Sequence, residues 1–133
     1  MQVLQPPGWA RPKGFSNGIA AQGKLVFIAG QVGWDAQQQW RQRGFAGQFR
    51  QALENVISVL KEANGGPEHL VRLTWYVIDR DEYLSSVQEV GAAYRELMGR
   101  HYPAMAVVQV AGLVEAEARL EIEATAVIPE KRP

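Results

Sequence analysis

The sequence predicts one two-layer α+β domain: a mostly antiparallel sheet with two helices on one face. Three observations lead there. Two apolar stripes recur at helical spacing, β-branched and aromatic runs flank each of them, and the 133-residue length fits a single domain, 1–133. The elements follow in the order β-β-α-β-α-β-β.

Residues 1–14 carry Pro6, Pro7 and Pro12 among several glycines and read as an irregular N-terminal arm. Gly18 to Ala21 and Lys24 to Ala29 flank Gln22-Gly23, which predicts a hairpin. Leu25-Val26-Phe27-Ile28 is a continuous apolar run, the pattern of a strand buried on both faces. The polar stretch Trp34 to Gly44 reads as a loop or exposed hairpin. Phe45, Phe49, Leu53, Val56 and Leu60 then form one face of a helix. Asn64-Gly65-Gly66-Pro67 ends it, glycine supplying a left-handed cap and proline blocking continuation.

Val71 to Ile78 is the next strand, with Arg72, Thr74 and Tyr76 alternating against Val71, Leu73, Trp75 and Val77. Asp79, Asp81 and Glu82 put negative charge at the start of the second helix, where the helix dipole favours it. Its stripe is Tyr83, Val87, Val90, Tyr94 and Leu97, and Gly99 stops it. Met105 to Ala111 and Arg119 to Val127 complete the sheet, with no linker and no short internal repeat. On the last strand Leu120, Ile122, Ala124 and Ala126 share one face, while Glu121, Glu123, Thr125 and Val127 share the other. The face without helices is thus too apolar for water alone, which points to association of copies through it.

Composition removes several classes of function. The 14 basic and 14 acidic residues balance, so there is no electrostatic footprint for nucleic acid. With no cysteine, disulfides, thiolate nucleophiles and Cys-based zinc sites are out. His69 and His101 are the only histidines and lack metal-ligand spacing; His69 belongs to a turn after Pro67, and His101 to a loop near the pocket. Trp9, Trp34, Trp40 and Trp75 are not interleaved with Lys or Arg, so they read as core or pocket packing and not as a base-stacking surface. No apolar run approaches the roughly 18 residues of a membrane span, and no leader-like segment opens the chain, which makes a cytoplasmic location the expectation.

The stretch from Tyr102 to Val127, with its Tyr-Pro-Ala and acidic last strand, resembles the C-terminal signature of the Rid (reactive intermediate deaminase, or YjgF) superfamily. Three other stretches are similar in order: Phe27-Ile28-Ala29-Gly30-Gln31-Val32, Gln51-Ala52-Leu53-Glu54-Asn55-Val56, and His69 to Thr74 with Tyr76-Val77. The resemblance spans about Gly14 to Val127. It implies a chorismate-mutase-like fold, a homotrimer with three clefts between subunits, a small-metabolite ligand, and no metal or organic cofactor. In deaminating members an enamine or imine of a 2-keto acid is hydrolysed to the keto acid and ammonia.

Carried over by position, Glu121 is the water-positioning carboxylate and Val107 supplies a backbone carbonyl. Gly30 and Gln31 belong to the ligand-contacting strand end, with Gly30 approaching closely for want of a side chain. Three positions depart from the pattern. Met105 stands where the carboxylate-binding Arg belongs and offers no donor; Arg72 and Arg119 are replacement cations by strand position alone. Phe15 stands where many members have Tyr, and Ala29 replaces a Ser. Without the resemblance, Glu121 reads first as a surface or interface carboxylate, and the resemblance brings the water-positioning role level with that; Met105 reads equally as simple packing. Two functions follow: hydrolysis of a reactive imine or enamine, or non-catalytic binding of a small, less acidic metabolite in a more apolar cleft. Neutral charge and the lack of a His pair argue against RNA cleavage.

Overall fold

Residues 1–131 are described by the computed structural model of the chain. Its strands are β1 (Gln2–Leu4), β2 (Gly18–Ala20), β3 (Lys24–Val32), β4 (Leu70–Val77), β5 (Ala104–Gln109) and β6 (Leu120–Ile128). Its helices are α1 (Phe45–Lys61), α2 (Arg80–Ser85) and α3 (Val87–Met98), with a 3-10 turn at Pro67–His69. The main sheet has the order β3-β6-β4-β5. β6 is antiparallel to both neighbours, and β4 and β5 are parallel. A parallel pair needs a crossover, which α2 and α3 provide. The inward residues Leu120, Ile122, Ala124 and Ala126 of β6 are all buried, as their alternation predicts.

The N-terminal arm is more regular than its prolines suggest. β1 pairs with β2 through Gln2↔Ala20, Val3↔Ile19 and Leu4↔Gly18. The expected hairpin between β2 and β3 does not form: β2 belongs to this small sheet and β3 to the main one. Between them Gly23 (φ 149°) runs hard against β6, where an added Cβ would lie 2.1 Å from the Ile128 carbonyl oxygen. β3 is buried on one face only. Leu25 and Phe27 are 59% and 75% exposed, because the helices cover just the side of Val26 and Ile28.

α1 buries the predicted stripe of Phe45, Phe49, Leu53, Val56 and Leu60. Beyond its end the left-handed residue is Asn64 (φ 61°), not Gly65. Gly65 serves space instead, since a Cβ there would meet Leu60 and Ile128 side chains at 2.7 and 2.8 Å. The second helical stretch breaks at Ser86 into α2 and α3. The Ser85 and Ser86 hydroxyls both donate to the Glu82 carbonyl, competing with the helical ladder. The Asp79 side chain caps α2 by accepting from the Asp81 and Glu82 amides. Asp79→Ala is expected to cost about 1 kcal/mol, a fall of roughly 3–6 °C in Tm by thermal denaturation. Gly99 (φ 63°) ends α3 as expected.

Candidate functional site

Met105 sits opposite Leu73, and Val107 opposite Trp75, in the β4–β5 register. Leu73 and Trp75 face the helices, so Met105 and Val107 do too. There they help line a cavity of about 420 Å³ between β5, the two short helices and the arm. Phe15, Trp75, Tyr83, Tyr94 and Tyr102 supply most of its remaining wall, with Lys13 and Arg95 as its cations. Tyr94 and Tyr102 stack with centroids 5.4 Å apart. Burial, with Tyr102 beside it, pushes the Tyr94 phenol well above its ordinary range, so it stays neutral. Its hydroxyl donates to the His101 carbonyl at 2.6 Å. Trp75 meets Phe49 at 4.7 Å and Tyr83 edge-on at 6.1 Å. Its indole N–H is buried and has no hydrogen-bond partner among the described residues.

Glu121 lies on the opposite face of the sheet. It pairs with Tyr76 across the β4–β6 ladder, on the side that no helix covers. Its carboxylate is packed against Gly30: a Cβ there would come 2.5 Å from Glu121 Oε2. Gly30 falls where the β3–β6 register shifts between Ile28 and Gln31, a bulge that brings the bare backbone up to the carboxylate. Glu121 is half-buried and has neither a hydrogen-bond partner nor a cation among the described residues. Glu123 differs: it accepts from the Tyr76 hydroxyl, a bond that also raises the Tyr76 pKa.

The predicted residues therefore fall into two groups. Phe15, Met105 and Val107 gather at the aromatic cavity, and Gly30 and Glu121 meet on the open face. Gln31 joins neither, since its side chain donates back to the Ala29 carbonyl at 3.1 Å. The Val107 carbonyl faces the free edge of β5. The Val110 amide donates to the Val77 carbonyl, and strand alternation turns residue 107 the other way. On that same edge the Ser16 amide takes the Pro103 carbonyl.

Of the two arginines expected as carboxylate partners by strand position, Arg119 is committed: it forms a two-pronged pair with Glu82, its Nε 2.9 Å from Oε1. Arg72 is exposed on the open face near Thr74 and Glu123, and at the edge by β5 it lines a small pocket together with Phe15 and Met105. His101 is structural, its Nε2 2.6 Å from the Leu70 carbonyl oxygen. His69 Nδ1 accepts from the Gly66 amide in the turn after Pro67. Of the tryptophans, Trp34 and Trp40 pack on each other at 5.6 Å, whereas Trp9, 62% exposed, lies outside the core and lines a surface pocket with Phe15 and Tyr102.

The positioning roles of two residues, Gln48 and Asn55, went unread in the sequence. Gln48 is fully buried; its amide donates to the Gln42 and Glu117 carbonyls and its oxygen accepts from the Arg119 amide at 2.7 Å. It thereby ties α1 to the start of β6, two residues before Glu121. The signal was a polar residue on the inward stripe, three positions after Phe45. Asn55 donates to the Val32 and Trp34 carbonyls and holds the end of β3 beyond Gly30.

The family profile described as Endoribonuclease L-PSP matches residues 9–128. Human 2-iminobutanoate/2-iminopropanoate deaminase is 32% identical over 105 residues, 78% of this chain and 73% of the human protein. The RutC family protein slr0709 of Synechocystis is 31% identical over a 137-residue alignment, covering 97% of this chain and 98% of that protein. Among solved structures, the Rid family protein YyfB from Yersinia pestis gives a TM-score of 0.84 at 29% identity, covering 96% of this chain and 98% of its own. The YjgF gene product of E. coli gives 0.67 at 28% identity, covering 85% and 87%. The two-layer architecture is the chorismate-mutase-like fold of these structures.

Proposed function

The chain belongs to the Endoribonuclease L-PSP family, the YjgF or Rid family, and from that membership we propose that it hydrolyses a reactive imine or enamine metabolite to a carbonyl compound and ammonia. The observation that carries the proposal is the half-buried, unpartnered Glu121 carboxylate held against the bare backbone of Gly30. A free carboxylate there can accept a proton from water as the oxygen attacks the imine carbon. The resulting carbinolamine then loses its nitrogen as ammonia, so one water enters for each ammonia released. The naming of human, bovine and goat relatives as 2-iminobutanoate/2-iminopropanoate deaminases supports this chemistry.

The site we propose forms between copies of the chain in a homotrimer. Glu121 and Met105 face opposite sides of one sheet, so a single ligand reaches both groups only when two copies meet. Exposed Leu25 and Phe27 beside Glu121's face support such an association. Light scattering is expected to give three times the chain mass; a monomer would contradict the proposed site.

The activity is tested by ammonia release from 2-iminobutanoate generated in situ by an amino-acid oxidase, with and without the protein. Acceleration above buffer is expected. Met105 favours a second reading, a binding protein without turnover, because it gives a substrate carboxylate no charge partner at that position; no acceleration on any imine would support that reading. Met105→Arg is expected to raise hydrolysis of 2-iminobutanoate about tenfold or more, the typical worth of one charge-assisted contact.

A further inference from the structure

The cavity around Met105 has an unusual balance of charge and aromatic surface. Phe15, Trp75, Tyr83, Tyr94 and Tyr102 give it broad flat walls, and among the described residues Lys13 and Arg95 are its only charged lining. Among the described residues no Asp or Glu lines it, and neither cation has a carboxylate partner. Arg95 reaches the cavity by lying back along α3 over Gly91, as helical side chains do. An added Cβ at Gly91 would be 3.3 Å from an Arg95 Nη. Gly91 needs no unusual backbone, since its φ is not positive. Its missing side chain leaves room for the guanidinium. Gly91 and Val87, one and two turns before Arg95, line the same cavity.

We propose that this cavity binds a carboxylate attached to an aromatic or similarly broad apolar body, and that Arg95 is the specificity-determining partner of the carboxylate. The guanidinium offers a planar, two-pronged donor set, with Lys13 as a second cation at the arm. The aromatic walls take the apolar body, and a volume of about 420 Å³ suits a ring-bearing ligand. Arg95 on the helix thus takes over from the strand position held by Met105. Applied to the proposed hydrolysis, on which this part of the inference rests, the substrate class becomes imines of aromatic or bulky apolar amino acids.

The test is titration calorimetry of the intact protein with phenylpyruvate, the keto-acid product of such an imine, against 2-oxobutanoate. Phenylpyruvate is expected to bind about tenfold or more tightly than 2-oxobutanoate, and Arg95→Gln to weaken it by about tenfold. Lys61→Gln, which removes an exposed cation at the far end of α1, is expected to leave phenylpyruvate binding within about twofold. Gly91→Ala, which crowds the guanidinium, is expected to weaken binding while raising Tm, because alanine suits a helix interior better than glycine. No saturable phenylpyruvate binding, a preference for 2-oxobutanoate, or unchanged affinity in a folded Arg95→Gln protein would overturn the proposal. Binding is read without turnover, so an inactive wild type that binds phenylpyruvate through Arg95 would sink the hydrolase reading and keep this one.

Discussion

Glu121→Gln is expected to lower the imine hydrolysis rate by about 10²- to 10⁴-fold, the usual worth of a positioned general base. Stability is expected to hold, because the carboxylate has no hydrogen bond or ion pair among the described residues to lose. Glutamine keeps the shape and removes the ability to take a proton, so an activity loss with unchanged Tm isolates the chemistry from the fold. Gly30→Ala reaches the same group from the other side. Its Cβ would come 2.5 Å from Glu121 Oε2, and the carboxylate must swing away. A loss approaching that of Glu121→Gln is expected. Ammonia release and thermal denaturation, run on both variants, check the pair; a fully active Glu121→Gln protein would remove Glu121 from the mechanism.

Phe49→Ala is expected to be the most damaging of these substitutions to the fold. Phe49 is 0% exposed at the centre of the helix–sheet core, with its ring 4.7 Å from Trp75. Truncating such a phenylalanine costs about 3–5 kcal/mol in lost transfer energy and an unfilled hole, on the order of 10–20 °C in Tm. Trp75 is also a wall of the Met105 cavity, so ligand affinity is expected to fall alongside stability. Denaturant titration with calorimetry on the same sample reads both effects. A Tm within about 3 °C of wild type would mean the core collapses around the gap.

Both sites in these predictions were partly legible in the chain. The stripe containing Phe49 and the alternation of β6 are local periodicities, and local periodicity survives into the fold because burial selects for it. The break at Ser86 was hidden because Tyr83 and Val87 keep the helical spacing across it, while the disruption is made by serine hydroxyls. Pairing of β1 with β2 was equally hidden, being a match between segments sixteen residues apart. At the candidate site, Gly30 and Glu121 could each be named, but their contact depends on the β3–β6 register and its bulge. That Met105 and Glu121 face opposite sides of the sheet required the strand order, and it is the fact that points to a second copy. Arg95 went unread because an exposed arginine on a helix is usually solvated; the glycine one turn before it was the available clue.

The most direct test of a site shared between copies is complementation. Glu121→Ala removes the carboxylate, and Met105→Trp fills the cavity; each protein alone is expected to be inactive in imine hydrolysis. Co-expressed and assembled together, they are expected to recover about one quarter of wild-type activity, the share of subunit pairs in a cyclic trimer that combine an intact Glu121 with an intact cavity. Mixed assemblies verified by mass that stay as inactive as the separate variants would contradict a site built from two copies.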